Sequence, residues 1–126
     1  MSPVADKTSD APLGTFEEQV LLAVLRTGRV PDGSGAYGMA VRRELEAVTG
    51  REVAIGAVYA TLDRLEVKGL VASERGEAGA GGSRRLFAVT SRGARALAES
   101  REMRERLWHG VDLVPLLAGG GARGGS

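Results

Sequence analysis

Residues 53–90 constrain the fold of this chain more than any other segment. They begin with apolar residues at helical spacing, which predict a helix with one buried face. These residues are Ile55, Val58, Leu62 and Leu65. Gly69 predicts the end of the helix, because glycine can adopt the left-handed backbone conformation there without a steric penalty. The segment therefore predicts a short amphipathic helix with a defined stop.

Two short strands are predicted after this helix. Residues 70–72 form the first, and residues 85–90 alternate well enough to pair with it. Between them, residues 76–83 contain four glycines and no bulky side chain, so we expect a mobile tip. Arginines flank this tip at positions 75, 84 and 85. A helix followed by such a hairpin can enter a DNA groove while the hairpin lies beside it as a wing.

The composition indicates a small soluble domain. A chain of 126 residues, 43% hydrophobic and 26% charged, predicts one domain with a modest core. The chain has no cysteine, which excludes disulfides and a thiolate metal site and fits a reducing cytoplasm. Residues 1–12 have no apolar core, so we expect no signal peptide there. No apolar run approaches the ~20 residues needed to span a bilayer, and we expect a cytoplasmic protein without a membrane partner.

The charge distribution leaves two functions open. The formal net charge is only +1, which is low for a protein that binds nucleic acid. Residues 84–95, however, contain four arginines and no acid, and this local basic patch favours contact with double-stranded DNA. The low net charge favours the alternative, a winged-helix protein–protein interaction module that does not bind DNA.

Two further helices are predicted before the segment. Thr15 and Glu18 fit a capping box, in which Thr15 accepts from the first turn and Glu18 reaches back, at the start of the first helix. Leucines and valines continue this helix to residue 27. Residues 37–48 predict the second helix, which ends at Thr49-Gly50.

A longer helix is predicted after the hairpin. Thr90 can cap it, residues 92–113 form it, and Pro115 should terminate it. The order of elements predicts an α+β, mainly α, winged helix-turn-helix fold with an added C-terminal dimerisation helix. We expect four parts: a disordered N-terminal arm (1–12), a DNA-binding domain (13–90), the C-terminal dimerisation helix (91–114) and a flexible glycine-rich tail (115–126).

Four motifs lie between residues 13 and 97, and in chain order they are LGTFEEQVLLAVL, AYGMAVRREL, GAVYATLDRLEVKGLV and RRLFAVTSRGARAL. The most specific part is Gly56-x-x-Tyr59-x-x-Leu62-x-x-Leu65-x-x-x-Gly69-Leu70-Val71, with Tyr37-Gly38 upstream and Thr90-x-x-Gly93 downstream. Together they resemble the PadR-like transcriptional regulators, in the short-tailed branch. The resemblance implies a homodimeric DNA-binding repressor whose C-terminal helix forms much of the dimer interface. It also implies that small molecules or cell signals often relieve repression.

The outward face of the third helix supplies the first DNA-contact candidates. Small residues let a helix approach base edges, and an alanine can contact a thymine methyl group. Tyr59 can donate its hydroxyl to a phosphate or can be a boundary core residue. Arg64 can reach a phosphate or a guanine, or can pair within the helix. The candidates here are Ala57, Tyr59, Ala60, Thr61 and Arg64.

The predicted wing supplies the remaining candidates, Arg75, Arg84 and Arg85. Strand alternation puts Arg84 and Arg85 on opposite faces, so at most one faces the groove while the other contacts a backbone phosphate. A charged edge that prevents strand pairing is the alternative. On the DNA interpretation, two subunits read a pseudo-palindromic operator with recognition helices about 34 Å apart.

An apolar patch near the C-terminus predicts a second interface. Its residues are Leu97, Met103, Leu107, Trp108 and Val111. Packing against a second copy is one interpretation of the patch. The other is that two such helices enclose an aromatic-lined cavity in which a planar small-molecule effector stacks.

We expect no enzyme, metal or cofactor site. Residues 33–38 match G-x-G-x-x-G, but they follow no credible strand and no βαβ unit fits around them. His109 and Asp112 have no serine in a nucleophile elbow to complete a triad. A single histidine without cysteine also makes a poor transition-metal site.

Overall fold

The computed structural model describes residues 12–28, 35–75 and 85–124, with side chains to residue 119. In chain order the elements are α1 (Thr15–Thr27), β1 (Ala36–Tyr37), α2 (Gly38–Thr49), α3 (Ile55–Val67), β2 (Val71–Arg75), β3 (Arg85–Val89), α4 (Ser91–Trp108) and α5 (Val114–Gly124). This mainly helical arrangement with a small antiparallel sheet confirms the predicted winged helix-turn-helix fold. The expected disordered arm, apart from Pro12, and the expected mobile tip lie outside the described residues.

The core lies between the first three helices and one face of the sheet. The predicted stripe of α3 is confirmed, since Val58, Leu62 and Leu65 are fully buried and Ile55 packs against them at the edge. Phe87 brings the sheet into this core as its largest fully buried side chain. Aliphatic residues from α1, α2 and β2 complete it, namely Val20, Leu21, Val24, Val41 and Val71. Burial of these side chains stabilises α3 on the body.

The sheet has three antiparallel strands in the order β1-β3-β2. The hairpin pairs β2 with β3 from Val71 opposite Val89 to Arg75 opposite Arg85. β1 adds Ala36 opposite Phe87. The sequence does not predict β1, because two residues are too few to show a period. Gly35 allows the approach with a φ of +94°, and a β-carbon there would lie 2.7 Å from the Phe87 carbonyl oxygen.

The turn after α3 joins the helix to the hairpin and to α4. Gly69 has a φ of +80°, and its N–H donates to the Glu66 carbonyl at 2.9 Å, so the predicted helix stop is confirmed. Thr90 then donates its hydroxyl to the Gly69 carbonyl at 2.7 Å and accepts from the Gly93 N–H at 3.0 Å. Gly93 packs against the Leu70 carbonyl, where a β-carbon would collide. These contacts explain the spacing of Thr90-x-x-Gly93.

The start of α1 differs from the prediction by one residue. Gly14 is the N-cap, and its N–H donates to Glu17 Oε1 at 2.9 Å, so Glu17 and not Glu18 reaches back. Thr15 already has helical geometry and does not cap the helix. The predicted box is wrong because Gly14, which has no side chain to accept a bond, can still adopt the extended N-cap backbone.

The C-terminal region differs more. α4 ends at Trp108, and Gly110 follows with a φ of +81°. Pro115 does not terminate a helix but lies in the first turn of α5, where a missing N–H costs no intrahelical bond. The Val114 N–H donates to Asp112 Oδ1 at 3.0 Å. Residues 115–124, expected within a flexible tail, are therefore helical. No helix among the described residues is long and apolar enough to cross a bilayer.

Candidate nucleic-acid interface

The N-terminal half of α3 presents a face without bulky side chains to solvent. Gly56, Ala57 and Ala60 are exposed on this face, while the apolar stripe on the other side is buried. A β-carbon added at Gly56 would meet no described atom within 4 Å. The predicted orientation of α3 is confirmed by this burial pattern. DNA contact by these residues stays a prediction.

Thr61 does not share the outward face, and its inclusion among the DNA contacts is corrected. Only 2% of the residue is exposed. At 100° per residue Thr61 lies about 40° from Leu65 around the helix, which places it on the buried side. Its hydroxyl accepts a hydrogen bond from Arg64 Nη2 at 3.2 Å. Thr61 therefore orients Arg64 and has no access to a groove.

Tyr59 lies at the edge between core and surface. Its ring covers Gly38 at the start of α2 and has its centroid 6.4 Å from that of Phe87. The residue is half-buried. Of the two interpretations for Tyr59, the boundary core role has direct geometric support, and the phosphate contact remains a prediction.

Arg64 of α3 and Lys68, which caps the C-terminus of α3, meet one buried carboxylate of α1. Lys68 Nζ lies 2.8 Å and Arg64 Nε 3.6 Å from Glu17 Oε2. Burial opposes ionisation of Glu17, but hydrogen bonds from Lys68 and the Gly14 N–H, together with both positive charges, outweigh it and lower the pKa of Glu17. Arg64 keeps 55% of its side chain exposed. The carboxylate and the Thr61 hydroxyl thus orient the guanidinium of Arg64 from one side, while about half of the side chain remains exposed.

Arg85 connects β3 to α3. Its Nη1 donates to Asp63 Oδ1 at 2.9 Å, and its Nη2 donates to Glu66 Oε1 at 2.7 Å. The guanidinium also lies 4.8 Å from the centroid of the Phe87 ring. The hydrogen bond to Asp63 is the main cause that raises the pKa of Arg85. Arg85 is therefore engaged within its own subunit and holds the hairpin against α3.

The other wing candidates differ in what the structure shows. Arg75 is exposed at the end of β2, directly opposite Arg85. Arg84 lies outside the described residues. Sequence reasoning did not single out Glu17, Asp63 or Glu66 as partners of the basic residues. The spacing of Asp63 and Glu66 by three on one helix face was the available signal for a shared cation.

The predicted C-terminal patch is exposed except for one member. Leu97 packs half-buried against the core and belongs to the subunit body, because it lies where α4 still contacts α1 and β3. Trp108 is 56% and Leu107 69% exposed. Other exposed apolar residues lie on α4, after it and on α5, namely Met103, Val111, Leu113, Val114, Leu116 and Leu117. We call Leu107, Trp108 and these six residues the C-terminal apolar surface.

Residues 29–99 match the family described as "Transcriptional regulator PadR-like family". The chain belongs to this family. The expected membership is thus confirmed, and this PadR-like protein is a DNA-binding transcriptional regulator. A comparison with curated protein sequences gave no match.

Solved structures of related proteins share the fold. RosR of H. salinarum is 28% identical, with 90% of this chain and 97% of that one covered at a TM-score of 0.59. A PadR family regulator of Eggerthella lenta is 29% identical, with 73% and 76% covered and a TM-score of 0.58. A PadR-like transcription factor of Bacteroides fragilis is 22% identical, with 90% and 99% covered and a TM-score of 0.66, a likeness of fold.

Proposed function

We propose that this PadR-like protein is a dimeric repressor that binds a pseudo-palindromic operator through α3 of each subunit. The observation that carries the proposal is the exposed, small-residue face of α3 at Gly56, Ala57 and Ala60. An α-helix fits the major groove, and small side chains let its backbone approach base edges. Two α3 helices about 34 Å apart would read successive major grooves on one side of the duplex.

Phosphate contacts fall to basic residues of α3 and of the wing. Arg64, oriented by Thr61 and Glu17, is the candidate on α3. Arg75 and Arg84 are the candidates on the wing, while Arg85 anchors the wing to α3. Because phosphate contacts release counterions, operator affinity should fall steeply with salt concentration.

The C-terminal apolar surface supports the dimer. Exposed apolar patches of this kind mark interaction sites in soluble proteins. We assign a second copy of the chain as the partner, since a two-fold dimer buries the same surface on both subunits and matches a palindromic operator. Repression follows when the bound dimer occludes RNA polymerase.

A small-molecule effector would act through the same surface. Trp108 is exposed on α4, and two such helices in a dimer can enclose a site where a planar molecule stacks. Its binding would change the angle or distance between the two α3 helices and thereby the affinity for the operator. If the Trp108→Ala dimer dissociates but its response to the effector is unchanged, this effector site is rejected.

The decisive experiment is footprinting on the region upstream of the protein's own gene. The proposed function predicts two protected half-sites related by a dyad, and a gel shift with the same region in which binding is weaker at high salt than at low salt. A protein–protein interaction module of the same fold would protect no sequence at either salt concentration. Loss of reporter expression on addition of the protein distinguishes a repressor from an activator.

A further inference from the structure

The first turn of α1 carries two neighbouring carboxylates that contact different elements. Glu17 binds Lys68 and Arg64 of α3, as described above. Glu18 contacts α4: Ser100 donates its hydroxyl to Glu18 Oε1 at 3.2 Å, and Arg104 Nη1 donates to Glu18 Oε2. One turn of α1 therefore touches both the proposed recognition helix and the proposed dimerisation helix.

The contact with Glu18 is well defined. Ser100 and Arg104 are one helical turn apart, and Arg104 Nη1 also donates to Ser100 Oγ at 3.1 Å. Glu18 keeps only 16% of its side chain exposed. The three side chains thus fix both the distance of α4 from α1 and the rotation of α4 about its own axis.

This contact is also placed where α4 leaves the subunit body. Leu97 still packs on the core, but every residue from 101 to 118 is exposed. Arg104 is itself in this outer part and reaches back to α1. Among the described residues, Arg104 is the outermost residue of α4 that forms a hydrogen bond with the helices of the body, through Glu18.

We infer that Glu18 is a positioning residue that sets the half-site spacing read by the dimer. This inference rests on the proposed function, a dimer held together by the C-terminal apolar surface. In such a dimer the C-terminal apolar surface forms the shared interface, and each DNA-binding body is attached to it through α1. The angle between α1 and α4 at Glu18 then determines where each α3 lies along the duplex.

The size of the effect can be estimated. If α4 rotates by about 10° relative to α1, a point that lies ~12 Å from the pivot at Glu18, the length of eight helical residues, moves by ~2 Å. Two-fold symmetry applies the same change to both subunits, so the distance between the α3 helices changes by up to ~4 Å. This exceeds the ~3.4 Å rise of one base pair. A small loss of definition at Glu18 therefore lowers the penalty for the neighbouring spacing, although the ~34° by which one added base pair turns the half-site about the DNA axis keeps part of this penalty.

The test uses the full-length protein and the duplex that it selects from a random library. Four duplexes are compared. The first has the selected spacing between half-sites, the second has one base pair fewer, the third has one base pair more, and the fourth has a single half-site. The variants are Glu18→Gln, Arg104→Glu and the charge swap Glu18→Arg with Arg104→Glu. Glu105→Gln is the matched control, because Glu105 pairs with Arg101 on α4 alone.

We expect the wild type and Glu105→Gln to prefer the selected spacing about tenfold over either neighbour. In Glu18→Gln and Arg104→Glu this preference should fall to about twofold, with half-site affinity and dimerisation unchanged, and the charge swap should restore most of it. An unchanged spacing preference in Glu18→Gln would overturn the role of Glu18. A loss of affinity for the single half-site as large as the loss for the selected duplex would overturn it as well. A wild-type protein that selects no duplex would instead overturn the proposed function.

Discussion

The ring of Tyr59 lies so close over Gly38 that a β-carbon at position 38 would come within 2.6 Å of the Tyr59 hydroxyl oxygen. The start of α2 and the middle of α3 therefore pack with no space for a side chain between them. This contact gives a physical reason for the glycine in Tyr37-Gly38 and for the tyrosine three residues after Gly56. It also fixes how the two helices of the helix-turn-helix lie against each other.

Gly38→Ala should displace the Tyr59 ring and destabilise the fold by about 1–3 kcal/mol, the usual cost of overpacking. Denaturant unfolding measures this free energy. Gly56→Ala is the matched control, because a β-carbon there meets open space. It should stabilise α3 by less than the ~0.5–1 kcal/mol that alanine gains over glycine in the middle of a helix, because Gly56 lies in the first turn. Equal stability changes in the two variants would contradict the packing role of Gly38.

Glu17 should make the stability depend on pH. Its pKa is lowered in the folded protein, so folding is favoured above the unfolded value of ~4.3 and this contribution is lost as the pH falls through the folded pKa. Glu17→Gln removes it and should cost about 1–3 kcal/mol at pH 7. The difference from wild type should shrink towards pH 3. Chemical unfolding of both proteins across this range measures it, and a constant difference would refute the assignment.

Arg85 should contribute little to stability but strongly to the position of the wing. Exposed ion pairs stabilise by ~0.2–1 kcal/mol, and Arg85 keeps 43% of its side chain exposed. A double-mutant cycle with Arg85→Gln and Glu66→Gln should give a coupling of ~0.2–1 kcal/mol, because each change removes one charge of the pair. Arg85→Lys should lower the affinity for the operator by a larger free energy than it lowers the free energy of unfolding. Unaltered binding in this variant would show that the wing does not need the anchor.

The periodic parts of the chain were predictable because each rule is local. The stripe on α3 predicts which face is buried, and Gly69 predicts its end, because apolar spacing and a left-handed glycine act within one turn. β1 could not be predicted, since Ala36 pairs only because Phe87 is brought beside it by the tertiary fold. Pro115 was misinterpreted because a proline that ends one helix and a proline that begins the next look alike in sequence.

The charged contacts were less predictable than the apolar ones. Thr61 and Arg64 are one turn apart, yet Thr61 is buried and Arg64 is exposed. This difference depends on where α1 packs. Glu17 and Lys68 are 51 positions apart in sequence. Only the folded chain shows that such distant charges meet. The same holds for Arg85, whose acidic partners lie on another element, so a basic wing residue became an internal anchor.

Ala60→Glu should abolish the preference for the operator over a random duplex. The exposed position of Ala60 on the small-residue face of α3 would bring the new carboxylate against base edges or phosphates. Ala98→Glu, an equally exposed alanine on α4, is the control and should retain the preference. Competition gel shifts with specific and random duplexes measure the ratio. A retained ratio in Ala60→Glu would place the recognition surface elsewhere.

Arg75→Gln should weaken binding to all duplexes about equally, since a phosphate contact carries no sequence information. Arg75 is exposed at the open end of β2, opposite Arg85. The slope of log affinity against log salt concentration should become less steep by about one unit. Titrations at four salt concentrations measure the slope. A changed operator preference with an unchanged slope would argue for a base contact instead.

Leu107→Glu should dissociate the dimer. Leu107 belongs to the C-terminal apolar surface and is 69% exposed in the subunit, so a carboxylate there would be buried without a partner on association. We expect the dimer dissociation constant to rise about 100-fold or more, as measured by analytical ultracentrifugation. Val48→Glu, another exposed apolar residue on α2, is the control and should remain dimeric. If Leu107→Glu stays dimeric and Val48→Glu does not, the interface lies on the helix-turn-helix and not on α4.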